Sequence, residues 1–304
     1  MESKYPHIHD DFQRLMSLSK EDKLQAMHEP FWIGYPKTTE IIQLMGQLMN
    51  RPKKPRMQNL LIIGEPHMGK TSLATQFSYM HQDSNLEDDI GMTKVQKPVL
   101  LANVQNSDDK DLYIAILEKF WTPFRPTDTR AKLRHQVLHL MRECNVKILI
   151  LDEIHNLLRG TAVKQRIMMD TIKNLSNELM IPIVGIGTQD ASMILASDPQ
   201  HASRFDVIKL SKWEMNKNFR GLLQAFEKRL PLKKPSHLAS KEKAPLLHMI
   251  SGGNLGDLHR LLIACASYAI EKDIEEITVE IIQHFKKLKP TDTRTAREVI
   301  FDSD

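Results

Sequence analysis

Mostly apolar runs recur through the first two thirds of the chain, at 60–63, 98–104, 147–151, 182–186 and 207–210. Between them, apolar residues return every three or four positions near 70–81, 109–121, 130–144, 163–179 and 189–196. A strand without a polar face is buried on both sides, the condition of a parallel sheet covered by helices. The pattern therefore predicts an α/β core with a parallel five-stranded sheet. From about 214 the runs stop, and helical spacing over 215–229, 241–251, 255–271 and 276–288 predicts a small all-helical domain. The first thirty residues are polar and read as one short helix, with Ser19 as N-cap and Asp22 in its first turn. A hydrophobic box follows, Phe31-Trp32-Ile33-Gly34-Tyr35-Pro36, and then helical spacing over 38–49. The connector Arg51-Pro52-Lys53-Lys54-Pro55-Arg56 ends that helix. The expected division is an extension over 1–30, an α/β core over 31–213, a helical lid over 214–288 and a tail over 289–304.

Composition narrows the class. The chain is 41% hydrophobic and 26% charged, as in ordinary globular proteins. Cys144 and Cys265 lie far apart in helix-like stretches, which argues against a disulfide framework or cysteine zinc site and for a reducing compartment. The N-terminus is polar rather than a hydrophobic signal core. No apolar run approaches the ~20 residues needed to cross a bilayer. The expectation is a soluble cytoplasmic protein without a membrane partner. A net charge of +4, from 42 basic and 38 acidic residues, permits a polyanion partner without establishing one. A nucleic-acid surface would have to come from local clustering.

The sharpest signal is Gly64-Glu65-Pro66-His67-Met68-Gly69-Lys70-Thr71, with Ser72 next. It fits G-x-x-x-x-G-K-[ST] between an apolar strand and a helix, where a phosphate-binding loop belongs. Its glycines let the backbone wrap phosphates, and N–H groups at the helix start point at the negative charge. Lys70 would reach the β- and γ-phosphates, and the Thr71 hydroxyl would ligate Mg²⁺. The second half is the strand at 147–151 ending in Asp152-Glu153. Buried carboxylates are costly without partners. At the mouth of a parallel sheet, Asp152 fits a metal-holding role and Glu153 the general base that activates water. An N-cap pair is the plainer alternative. Asp152-Glu153-Ile154-His155 also imitates a helicase box, but the helical region after 214 offers no second motor domain.

Three later features bear on the same chemistry. Thr188, in Gly187-Thr188-Gln189 after a strand, suits a polar group beside the γ-phosphate. Arg204, in Ser203-Arg204-Phe205-Asp206, fits either an arginine finger reaching a neighbouring subunit or a surface ion pair. Arg260 lies on the helix opened by Gly252-Gly253-Asn254 and could face the nucleotide.

This order of motifs resembles the AAA+ ATPases. More narrowly, Trp-Ile-Gly-Tyr-Pro at 32–36, Asn-Leu-Leu-Ile-Ile-Gly at 59–64, Leu-Asp-Glu-Ile-His-Asn-Leu-Leu at 151–158 and the Gly-rich helix from 252 resemble the TniB/TnsC family of transposition ATPases. The resemblance covers roughly 30–285. It implies an ATP- and Mg²⁺-dependent regulator that assembles on double-stranded DNA as a homo-oligomeric ring or helical filament. Such a regulator links a target-selection factor to the transposase. It also implies that Ile33, Gly34 and Tyr35 line the adenine pocket. Thr188 would be sensor 1, Arg204 a finger in trans and Arg260 sensor 2, a role many wider relatives give to the position of His259. In related ATPases the helices after the second strand face DNA. Here that segment is 110–132, with Lys119, Arg125, Arg130 and Lys132 as cations and Thr127 and Thr129 as phosphate donors. A solvated helix face explains the same residues. The rival readings are a helicase-loader-like or replication-type ATPase and a nucleotide-gated scaffold with negligible hydrolysis.

Two smaller features read as ordinary structure. His135 and His139 are four apart, but the stripe Leu133, Val137, Leu140 and Met141 puts them on the exposed side. Pro-Thr-Asp-Thr-Arg occurs at 126–130 and 290–294, and each copy reads as a turn and a helix cap.

Overall fold

The computed structural model describes residues 4–87, 93–196 and 199–287. The predicted tail and the second Pro-Thr-Asp-Thr-Arg copy lie outside these residues. The chain divides into two compact units, Pro36–Ser211 and Met1–Tyr35 with Lys212–Asp304.

In the N-terminal segment the expected helix is α1 (Lys20–Ala26), and a 3-10 helix over Asp10–Ser17 precedes it. Leu18 and Ser19 are extended and separate the two, and the Ser19 hydroxyl accepts from the Asp22 N–H as a cap.

The α/β unit opens with α2 (Pro36–Met49) and β1 (Asn59–Gly64), followed by α3 (Lys70–Met80). An antiparallel hairpin comes next, β2 (Ser84–Glu87) with β3 (Thr93–Gln96). Then come β4 (Val99–Asn103), α4 (Asp109–Leu117), α5 (Arg130–Glu143) and β5 (Ile148–Asp152). The unit continues with α6 (Ile154–Leu157), α7 (Ala162–Leu179), β6 (Ile183–Gly187), α8 (Gln189–Ala196), α9 (Pro199–Ala202) and β7 (Phe205–Leu210). Five strands form one parallel sheet in the order β4-β5-β6-β1-β7. Every residue of β1, β5 and β6 is buried, which is why these strands are apolar apart from Asn59 at the start of β1 and Asp152 at the end of β5.

Two glycines set the approach of α6 to the sheet. A Cβ on Gly185 would meet Ile154 Cδ1 at 2.6 Å, and one on Gly187 would meet Ile154 Cγ2 at 3.1 Å. The short helix after Asp152-Glu153 can therefore lie directly on β6.

The other unit contains α10 (Lys217–Glu227), α11 (Lys243–Ser251), α12 (Leu255–Glu271) and α13 (Val279–His284). Phe219, Leu223, Leu258, Leu262 and Ala266 share its core with Met27 from the N-terminal segment. Gly252 and Gly253 have φ of 58° and 71°, and a Cβ on Gly253 would sit 2.3 Å from the Trp213 carbonyl oxygen. Asn254 then caps α12, its Oδ1 accepting from the N–H groups of Gly256 (3.0 Å) and Asp257 (3.2 Å). Among the described residues, no helix is long and apolar enough to cross a membrane.

Candidate functional site

The carboxyl ends of β5, β6 and β1, three neighbouring strands, gather the first set of residues. β1 ends at Gly64, where a Cβ would lie 2.7 Å from the Leu210 carbonyl oxygen, so only hydrogen fits against β7. The loop beyond turns through left-handed backbone at His67 (φ 62°) and Gly69 (φ 80°), and Gly69 is the N-cap of α3. Met68 is buried and anchors the loop. Glu65, Pro66 and His67 are exposed along its outer edge. Thr71 and Ser72 follow Lys70 in the exposed first turn of α3.

Lys70 is almost fully buried, and its Nζ donates to the carbonyl oxygens of Gly64 (2.8 Å) and Glu65 (2.7 Å). Burial holds its pKa below the usual lysine value, while Glu153, Asp152 and Glu65 pull the other way. Three carboxylates around the buried ammonium thus offset part of the cost of its desolvation.

The Thr71 hydroxyl donates to Asp152 Oδ2 at 2.8 Å, joining residues 81 apart in sequence. Asp152 is 4% exposed, and its Oδ1 accepts from the Glu153 N–H at 2.9 Å. Glu153 has φ 56°, a left-handed conformation that glutamate rarely adopts and that clusters at functional sites. The turn sends the two acids apart: Asp152 stays buried while the Glu153 side chain is 42% exposed. Glu153 Oε2 lies 3.1 Å from His155 Nδ1, outside hydrogen-bond geometry. Thr188 follows directly on β6, whose last residue, Gly187, pairs with Ile63 one position before Gly64. Its hydroxyl is buried and has no hydrogen-bond partner among the described residues. An orphaned polar atom there, beside two hard oxygen donors and a lysine, fits a phosphate-and-metal ligand.

Arg204 is at the other end of the sheet. Its carbonyl accepts from the Asn59 N–H at 2.8 Å, and β1 pairs Asn59 with Phe205 but Gly64 with Leu210. Six strand steps from Arg204 to Leu210, about 20 Å at ~3.3 Å each, separate it from its own loop. Its Nη1 donates to Asn177 Oδ1 at 2.9 Å, and burial together with Arg56 lowers its pKa.

In the helical unit, Ile33 packs on the core and Gly34 approaches Trp32 Nε1, while the Tyr35 ring is 4.7 Å from Trp213. Arg260 pairs with Asp257 at 3.2 Å on α12. His259 stacks against Phe31 (5.5 Å) and Phe226 (6.0 Å), and burial lowers its pKa.

Lys119, Arg125, Thr127, Thr129, Arg130 and Lys132 are all exposed, as are His135 and His139. Thr129 caps α5 by accepting from the Lys132 N–H. Arg130 Nε is 2.7 Å from Asp109 Oδ1, and Lys132 Nζ is 2.9 Å from Asp128 Oδ1. Lys119 and Arg125 form no ion pair among the described residues. The helix predicted over 109–121 stops earlier: α4 ends at Leu117, a 3-10 turn covers Glu118–Phe120, and Trp121 follows in left-handed backbone. Trp121 is 95% exposed. Its helical spacing disguised it as one more core residue.

A family model described as the bacterial TniB protein matches residues 23–215. The chain belongs to the TniB family. The TniB match runs from α1 past β7, so it takes in the loop from Gly64 to Thr71, Asp152, Glu153, Thr188 and Arg204. No curated protein matches. Among solved structures, this TniB-family chain is similar to Cdc6p from Pyrobaculum aerophilum, with TM-score 0.63, 18% identity, and 87% of this chain and 71% of that one covered. It is similar to the Aeropyrum pernix ORC2 protein in ADPNP-ADP complexes, with TM-score 0.63 and 15% identity over 89% and 73%. The Aeropyrum pernix ORC1 protein in complex with DNA gives 0.61 and 17% over 89% and 70%. The TniB-family chain thus shares its fold with these Cdc6 and ORC proteins.

Proposed function

We propose that this TniB-family chain is a DNA-associated ATPase that hydrolyses ATP to ADP and phosphate and assembles as a homo-oligomer on duplex DNA. The observation that carries it is the 2.8 Å bond from Thr71 to Asp152 beside buried Lys70. Two hard oxygens and a lysine at a loop before a helix suit a triphosphate with Mg²⁺. When bound, the ion offsets phosphate charge and polarises the γ-phosphoryl group. Thr71 and Asp152 hold it, Lys70 binds phosphate oxygens, and Thr188 hydrogen-bonds the γ-phosphate or the attacking water. Glu153, half-exposed beside that group, takes the water's proton. Arg204 is too far from its own loop to help there, which supports a role at the loop of a neighbouring copy.

The DNA partner rests on the exposed cations after β4 and on the DNA complex of the Aeropyrum pernix ORC1 protein. The finer reading, a regulator that connects a target-selection factor to a transposase, draws on family membership. A replication-type role competes with it, favoured by the Cdc6 and ORC proteins among the similar solved structures. Glu153→Gln should keep ATP binding and assembly while turnover drops roughly 10²–10⁴-fold. Electron microscopy of that variant with ATP and mixed-sequence duplex should reveal oligomers on DNA. Loss of both nucleotide binding and assembly would refute the division of roles. Stable complexes with a replicative helicase, and no oligomers on DNA, would favour the replication-type reading.

A further inference from the structure

Trp121 contributes nothing to the core, being 95% exposed. It also occupies a left-handed position (φ 53°), which a non-glycine residue adopts at a cost. Neither the fold nor the turn explains a tryptophan there. Its surroundings point to a partner. Lys119 precedes it by two residues and Arg125 follows by four, both exposed and in no ion pair among the described residues. The nearby Arg130 and Lys132, by contrast, are held by Asp109 and Asp128. Phe120 and Phe124, on either side, pack partly against the core and fasten the turn that presents the indole.

We propose that Trp121 is a duplex-DNA contact, its indole seated in the minor groove between phosphates bound by Lys119 and Arg125. This rests on the DNA-binding reading above and adds the residue that makes the contact more than electrostatic. A ring on a narrow turn suits the ~6 Å wide minor groove better than the major groove, which takes a whole helix. Packing on sugars and base edges tolerates any sequence, and the two unpaired cations beside the ring match the charge of the phosphates that flank the groove.

The test is equilibrium binding of the full chain, with ATP and Mg²⁺, to a fluorescein-labelled mixed-sequence duplex, read by anisotropy at several salt concentrations. Trp121→Ala should weaken binding at least about fivefold, the lower end for an aromatic contact to a base. Trp121→Phe should recover most of that loss. The dependence of log K on log salt should be unchanged in Trp121→Ala, because no phosphate contact is removed. Lys119→Ala should instead reduce that slope by about 0.9. Basal ATP turnover and the melting temperature should match the parent in both tryptophan variants. Parent-like affinity in Trp121→Ala overturns the proposal while leaving the DNA reading intact, as does equal loss in the alanine and phenylalanine variants or a lowered melting temperature. If the parent itself binds no duplex, both fall together.

Discussion

Asn59 offers a direct test of what aligns the sheet beneath the candidate site. It is fully buried at the start of β1, and its Oδ1 accepts from the Ile183 N–H at 2.8 Å, across to the start of β6. Ser176 Oγ is also within 3.4 Å of Oδ1, but its hydroxyl has a better acceptor in the Ile181 carbonyl at 2.8 Å. Asn59→Ala would therefore strand one buried backbone donor, at a cost of about 1–3 kcal/mol. It would also leave a small void, offset in part because Asn59 Nδ2 already lacks a partner among the described residues. A net loss of about 2 kcal/mol follows, or roughly 4–8 °C in Tm for a unit of this size. Differential scanning calorimetry measures it. Asn59→Asp is the companion variant: it keeps the acceptor but buries a charge, so its deficit should shrink on acidification while that of the alanine variant does not. An alanine variant melting at the parent temperature would show that the Asn59–Ile183 bond does not hold β6 to β1.

If Arg204 acts on a neighbour, Arg204→Ala and Lys70→Ala should each be nearly inactive alone, the former by ~10³-fold or more. Mixing the two should restore phosphate release through composite sites, and a mixture as inactive as its parts would rule out action in trans. Gly64→Ala forces a Cβ to within 2.7 Å of the Leu210 oxygen, so it should lower stability by about 1–3 kcal/mol; a parent-like urea midpoint would count against that contact. His259 is held below its ordinary pKa of 6.5 by burial and by His28. The unfolded chain then binds more protons than the folded one as pH falls past 6.5, so stability should decline from neutral pH down through the lowered folded pKa. His259→Phe should flatten that decline in urea melts at pH 7 and pH 5, and an unchanged slope would assign it to other groups.

Much of this architecture is legible in the sequence, for identifiable reasons. All five sheet strands begin and end within two residues of the apolar runs, and the match is within one residue where a strand is buried on both faces, as β1, β5 and β6 are. Ser19, Thr129 and Asn254 cap their helices because capping is local chemistry. The β2–β3 hairpin escaped detection because each residue of Ser84–Glu87 is exposed, which leaves no hydrophobic alternation to read. Motif spacing identifies the loop and both acids. It says nothing of the left-handed turn at Glu153 that separates their surroundings, because no glycine announces it. The basic residues after β4 looked equivalent in sequence. Asp109, twenty-one positions before Arg130, engages one of them only after α4 and α5 have packed. Trp121 was obscured by a helical rhythm that outlasts the helix.

β1 also has a mechanical consequence. One residue outside its first rung, on the β7 side, lies Arg204, and its last residue, Gly64, opens the loop that leads to Lys70. Six buried residues, hydrogen-bonded on both flanks, make it a stiff yardstick between these positions. If copies join with the arginine of one at the loop of the next, a displacement at one nucleotide would pass to the following one along a strand that neither stretches nor slips. Communication along such an assembly would then be carried by translation of whole sheets rather than by bending of loops.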